Sequence, residues 1–219
     1  MKQSFKDILI RCLILMVGLT IAHFGVTLYL LSNLGSDPFN VLVQGTHKAL
    51  SGVLSWGIIT HGNIHIALCL LIVLILLFVD RSYIKIGTIL CMLFGGPIID
   101  GFTYLLGSLF TIPHSVIIDV LTCVVACVIL AFGMTIVIKS EAGTGPNDLV
   151  SLVISDKSKK KFGVVRIITD GAFVLIGFLL GGAAGIGTLI CVFVVGPVAG
   201  KFMPICEKAI NGIMNKIAK

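Results

Sequence analysis

Charge is what this chain has least of. Only 12% of its 219 residues are Asp, Glu, Lys or Arg, about half the roughly 25% of a soluble domain. So little polar surface cannot keep the chain in water, and a soluble globular fold is excluded. Tryptophan occurs once and tyrosine three times. Despite a net charge of +6, no aromatic-basic surface and no nucleic-acid motif can be drawn, so nucleic acid is not an expected partner. The seven cysteines (Cys12, Cys69, Cys91, Cys123, Cys127, Cys191, Cys206) contain no C-x-x-C pair. They lie in or beside apolar segments and read as small packing residues without a disulfide signal. No Ser/His/Asp set, paired carboxylates or phosphate loop appears. The chain is therefore expected to be no enzyme, to carry no cofactor, and to need another chain for any use of ATP.

What is abundant is apolar sequence, 57% of the residues. It falls in blocks of about 20, enough at ~1.5 Å per residue to cross ~30 Å of hydrocarbon as helix. Six spans are expected, at 12–31, 58–79, 86–106, 116–138, 164–183 and 186–206. The basic, apolar N-terminus has the flavour of a signal peptide. Its apolar run continues to Leu31 with no A-x-A-like site, so it is read as a retained first span.

Basic residues fix the expected orientation. With the N-terminus cytoplasmic, inner segments hold Lys2, Lys6, Arg11, Arg81, Lys85, Lys139, Lys157, Lys159, Lys160, Lys161, Arg166, Lys201, Lys208, Lys216 and Lys219. Only Lys48 falls outside. The imbalance predicts a multi-pass protein of the plasma membrane with both termini cytoplasmic.

Two motifs occur twice. Gly-Ser-Asp-Pro-Phe-Asn at 35–40 returns as Gly-Thr-Gly-Pro-Asn-Asp at 143–148. Phe24, Gly25, Thr27, Ser32, Gly35 and Pro38 match Phe132, Gly133, Thr135, Ser140, Gly143 and Pro146 at a spacing of 108. Ile86, Gly87, Thr88, Cys91, Gly96, Pro97 and Phe102 match residues 100 further on, including Gly187, Thr188, Gly196 and Pro197. The fold expected is an all-α membrane bundle of two three-span repeats, 1–110 and 111–206, with a basic amphipathic tail at 207–219. Three crossings per repeat turn the second upside down relative to the first.

Pro38 and Pro146 suit the first position of a helix, and Asp37 is a better N-cap than its counterpart Gly145. Each proline opens a segment too short to span, which either lies at the interface or dips into the protein. A buried helix N-terminus there would offer free N–H groups to an anionic solute. Ser36, Asp37, Asn40, Thr144, Asn147 and Asp148 are the substrate-binding candidates. The same residues equally suit a capped turn that only orients its helix. Gly35, Pro38, Gly143, Pro146 and the glycines, threonines and prolines of the second motif are packing or hinge candidates.

Ionisable residues inside spans each call for an explanation. Asp37, His61, His65, Asp100 and Asp119 fall at similar outer depth, a candidate polar site. His61 and His65 share a helix face at i, i+4, a weak metal candidate for which spacing fixes no third ligand. Asp170 has Arg166 at i−4, and an ion pair would neutralise both.

The two turns, the paired Ile-Gly-Thr motifs and the Gly-Pro-Ile-Ile-Asp run ending at Asp100 resemble the YczE/YyaS/YitT-like group of bacterial membrane proteins. The resemblance implies location and architecture and no reaction. Asp100 has Gly200 as its counterpart, so an acid there is not duplicated. The leading functional expectation is a small-solute permease or exporter. The alternatives are a substrate-capture subunit and an assembly factor or scaffold. The lipid bilayer is the expected surrounding, with a homodimer or partner subunit left open.

Overall fold

A long apolar run has no water beside its backbone, so it winds into a helix that satisfies its own N–H and C=O groups. The structure, a computed structural model, describes residues 5–51, 61–110 and 115–217. Among these residues every regular element is helical. The order is α1 (Phe5–Leu31), α2 (Pro38–Ser51), α3 (His61–Asp80), α4 (Ile86–Leu106), α5 (Val116–Lys139), α6 (Pro146–Ser158), α7 (Phe162–Leu179) and α8 (Ile186–Ile217). Short 3-10 turns, Arg81–Tyr83 and Gly107–Phe110, follow α3 and α4. Six helices, all but α2 and α6, are long and apolar enough to cross a membrane. Those two begin at Pro38 and Pro146 and run 14 and 13 residues, about 20 Å each. Asp37 caps α2, accepting from the Asn40 N–H at 3.1 Å, whereas Gly145 gives α6 no side-chain cap.

Three boundaries differ from those expected. α1 starts at Phe5, about two turns before residue 12. α7 stops at Leu179 instead of 183, because Gly181 turns the chain at φ +92° and Gly182 packs against the Val41 and Gly177 carbonyls. The basic tail expected as a separate helix is continuous with the last span. α8 runs 32 residues through Pro197 and Pro204, about 48 Å. Cys206 and Ile210 are buried beyond Pro204, so the packed face of the span continues past it. A 2.6 Å ion pair between Lys139 and Glu207 ties that extension to α5. Residues 58–60 of the expected second span and 218–219 of the tail lie outside the described residues.

Lipid gives helices no hydrophobic reason to associate, so close approach at small residues does the work. The central pair is α1 with α5. A Cβ added to Gly25 would lie 2.5 Å from the Leu130 N and 2.8 Å from the Ala126 O. One on Gly133 would collide with the Ala22 N and lie 2.7 Å from the Gly18 O. Contacts climb α1 as they descend α5, so the two helices are antiparallel. Ala126 and Leu130 stand 108 residues after Gly18 and Ala22, so the contact is made twice with the roles exchanged.

Around this pair, α4 packs on α1 and α8 on α5. Cys123, Ala126, Cys127 and Ala131 meet Cys191, Val195 and Ala199 in the larger core, and Leu15, Leu19, Cys91, Val137 and Ala142 form a second. α7 lies against α2, α6 and α8, with Gly45 on Gly177 and Gly163 on Gly196 at backbone distance. On α4 the counterpart of Gly196 is Gly96, and a Cβ there would meet nothing within 4 Å. Phe78, Tyr104, Leu179 and Ile117 are among many large apolar side chains left exposed, the belt a bilayer covers.

Candidate functional site

Both duplicated turns need glycine. Gly35 sits at φ +138° and Gly143 at φ +131°, a region that residues with a Cβ seldom enter. Each turn is seated on the other half of the chain. The Gly187 N–H donates to the Leu34 carbonyl at 2.9 Å, and the Gly87 N–H donates to the Ala142 carbonyl at 2.8 Å. A Cβ on Gly35 would lie 2.8 Å from the Thr188 Oγ1, and one on Gly143 would lie 2.6 Å from the Thr88 N. The turn of the first half thus docks on the Gly-Thr of the second, and the turn of the second on the Gly-Thr of the first. The sequence shows that both motifs are repeated. It does not show that they are each other's receptors.

The two joints are not in the same condition. At the Gly35 joint, the Thr188 hydroxyl donates to the Ser36 carbonyl at 2.6 Å and accepts from the Gly185 N–H at 3.1 Å. Gln44 bridges outward from Ser36 Oγ, at 2.8 Å, to the Ala183 N–H, at 3.3 Å. Asn40 donates to Asp37 at 2.6 Å, and His61 Nε2 lies 3.4 Å from Asn40 Oδ1. At the Gly143 joint the corresponding hydroxyls, Thr88 Oγ1 and Thr144 Oγ1, are buried and have no partner among the described residues. Gly143 and Thr144 line a recess of about 450 Å³, whose wall includes Tyr83, Lys85, Glu141, Leu149 and Asp156. At its rim Tyr83 donates to Asp156 at 3.0 Å and Lys85 to the Glu141 carbonyl at 2.9 Å. One joint is fastened by side chains and the other opens on a hollow.

Beside the recess, α6 and α7 meet along a polar seam. Asp148 and Ser151 on α6 face Arg166, Thr169 and Asp170 on α7. Arg166 donates from Nε to Asp170 Oδ2 at 2.8 Å and from Nη1 to Asp148 Oδ1 at 2.6 Å. The Ser151 and Thr169 hydroxyls are 2.5 Å apart, and Thr169 also donates to the Arg166 carbonyl at 3.1 Å. Asp170 Oδ1 is buried and has no partner among the described residues. The ion pair of Arg166 with Asp170 follows from their spacing. The inclusion of Asp148, and the Ser151–Thr169 pair, do not. Their signal was available, since 148, 151 and 155 share one face of α6 and 166, 169 and 170 share one face of α7.

In the first half the counterparts are arranged differently. Spacings of 108 for α2 and 100 for α3 match Asp148 and Ser151 to Asn40 and Val43, and Arg166, Thr169 and Asp170 to Ile66, Cys69 and Leu70, of which Ile66 and Leu70 are exposed and Asn40 bonds to Asp37. There Phe39, Val43, Ile64 and Cys69 form a hydrophobic cluster.

The other residues singled out by sequence are more scattered. Asn147 lies in the first turn of α6, beside Gly145. Asn40 joins Asp37 to His61, and His65 packs edge-on against Phe39 with ring centroids 5.3 Å apart. Asp100 on α4 and Asp119 at the start of α5 stay outside that group. No set of three or more His, Cys, Asp or Glu near enough to hold a metal occurs among the described residues. Pro38 and Pro146 open their helices, while Pro97 and Pro197 lie inside α4 and α8.

The chain belongs to a family of unknown function, DUF6198, whose model matches residues 9–204. It is 28% identical to the uncharacterized protein YyaS of Bacillus subtilis, over 88% of this chain and 92% of that one. An uncharacterized protein of Haemophilus influenzae is 27% identical over 89% and 84% of the two chains. The uncharacterized membrane protein YczE of Bacillus subtilis is 26% identical over 94% and 91%. The resemblance carried by the turns and the Ile-Gly-Thr motifs is therefore borne out. No solved structure matches the chain. Six apolar helices, an exposed apolar belt and a membrane-protein relative make this an integral membrane protein.

Proposed function

We propose that the protein is a small-solute permease of the plasma membrane, built from two inverted three-span repeats with both termini cytoplasmic. The observation that carries this reading is the reciprocal docking of Leu34 with Gly187 and of Ala142 with Gly87. Equivalent joints in different conditions are what alternating access requires, because exchanging the conformations of the halves exchanges the open side. The antiparallel α1–α5 pair and the confinement of all but one basic residue to one expected side support the inversion. On this reading the structure is an inward-facing state. The hollow beside Thr144 is the cytoplasmic vestibule, and the Ser36–Thr188–Gln44 bonds close the outer side. Thr144, Asn147 and Asp148 then meet the solute from within, and Ser36, Asp37 and Asn40 meet it from outside in the exchanged state. No chemical step is assigned to any residue.

The topology is tested by Ser36→Cys and Thr144→Cys in intact cells. A membrane-impermeant thiol reagent should reach the first from outside and the second only after the membrane is opened. Reaction of both from one face sinks the inversion. Transport is tested by a thermal-shift screen against metabolite pools, followed by uptake into proteoliposomes. With no stabilising pool and no flux under any ion gradient, the permease reading fails.

A second reading, a capture subunit or assembly factor, draws on the exposure of α3 and α4, whose spans are only 17% and 11% buried against 50% for α5. It predicts stable co-purification with one membrane partner and no flux by the chain alone.

A further inference from the structure

Two carboxylates and one guanidinium meet in the α6–α7 seam, so with all three ionised it holds one uncompensated negative charge. A charge taken out of water costs several kcal/mol unless a partner offsets it. Asp170 is 1% exposed, its Oδ2 is committed to Arg166, and its Oδ1 has no partner among the described residues. The groups within electrostatic reach add no fixed cation. They are Asp148 from α6, Asp37 from the loop before α2 and, toward Arg166, Cys191 from α8. His23 of α1 and Cys91 of α4 lie within electrostatic reach of Asp148.

Packing does not account for the seam. The counterparts of Ser151 and Thr169 in the first half, Val43 and Cys69, sit in an apolar cluster and no ion set stands beside them, and exchanging a buried ion set for apolar side chains is often neutral or stabilising. A metal ion does not fit either. Hard cations take about six oxygens, whereas one oxygen is free and no metal-holding cluster exists among the described residues. One free oxygen suffices for a proton.

We propose that the α6–α7 seam binds one exchangeable proton, held between Asp170 and Asp148 across Arg166. Exposure falls from 19% at the Asp148 side chain to 10% at Arg166 and 1% at Asp170. The proton therefore enters and leaves by way of Asp148, the more exposed of the two carboxylates. Arg166 touches both carboxylates, so a shift of α6 along α7 changes which of them it neutralises and which holds the proton. That this drives solute movement rests on the permease reading; the binding itself does not.

The test uses the full chain in lipid vesicles without solute, followed by infrared difference spectroscopy as pH is cycled. A protonated-carboxyl band should appear together with uptake of about one proton per chain, and both should vanish in Asp170→Asn. They should persist in Glu207→Gln. A second variant guards against misfolding by removing the three charges of the seam together: Asp148→Asn, Arg166→Gln and Asp170→Asn. It should melt no lower than wild type and lack the band. The proposal is overturned if the wild type shows no such band while folded, if the band survives in Asp170→Asn, or if sodium at constant pH abolishes it. Flux is measured separately, so an inactive permease with an intact band refutes only the transport reading.

Discussion

Replacing Thr188 by Val and Thr88 by Val makes one chemical change at two equivalent places and should give results of opposite sign. Valine keeps the shape of threonine and removes the hydroxyl. At Thr188 the hydroxyl donates to the Ser36 carbonyl at 2.6 Å and accepts from the Gly185 N–H at 3.1 Å. An ordinary hydrogen bond is worth about 0.5–1.5 kcal/mol net, and a buried group left without a partner costs about 1–3 kcal/mol. Both bonds are lost at a part-buried joint, so Thr188→Val should destabilise by about 2 kcal/mol. At Thr88 the hydroxyl is buried with no partner among the described residues. Removing it takes away a desolvation penalty of order 1 kcal/mol, so Thr88→Val should be neutral or slightly stabilising. The difference of about 3 kcal/mol corresponds to roughly 6–12 °C in melting temperature for a chain of this size, read by thermal unfolding in one detergent. If the Thr188 bonds close one side of the protein, losing about 2 kcal/mol also raises the open population about 30-fold, seen as faster thiol labelling of Ser36→Cys. Equal melting temperatures for the two variants, or a lower one for Thr88→Val, would refute the claim that the joints differ.

The Gly-Pro motif gives a second paired comparison. Gly196→Ala places a methyl 2.6 Å from the Gly163 carbonyl and should cost about 1–3 kcal/mol by overpacking, while Gly96→Ala meets open space and should gain up to about 1 kcal/mol of helix propensity. Differential melting of the two variants decides it. Arg166→Gln leaves Asp148 and Asp170 facing each other without a counter-charge and should cost about 3–5 kcal/mol. Restored stability on adding Asp170→Asn and Asp148→Asn would place that cost in the unpaired carboxylates. Gly143→Ala combines a positive φ with a methyl 2.6 Å from the Thr88 N and should lower folded yield in a fluorescence size-exclusion assay more than Gly62→Ala, where no atom lies within 4 Å.

Local features could be read before any coordinates. Apolar blocks locate six helices, Pro38 and Pro146 open two short ones, and Asp37 is the cap its chemistry favours. The change in spacing from 108 to 100 falls between the two motifs of each half. Properties that depend on a partner were not legible. Nothing around Gly35 says that its receptor is Thr188 and not Thr88, because the two receptors have nearly the same sequence. Asp148 looked like a turn residue facing a solute, and only the register of α6 against α7 reveals Arg166. The length of α8 also depends on its neighbours. Burial of Cys206 and Ile210 on one face and the Lys139–Glu207 ion pair carry the helix past residue 206.

The crossed fastening of the turns has a consequence for how such a chain must be inherited and assembled. A fragment ending after α4 would carry a hook and an eye that cannot reach each other, and so would a fragment beginning at α5. Expressed apart, the two pieces should be degraded; expressed together, they should rescue one another. An ancestor half as long would have solved the same problem by marrying its own twin.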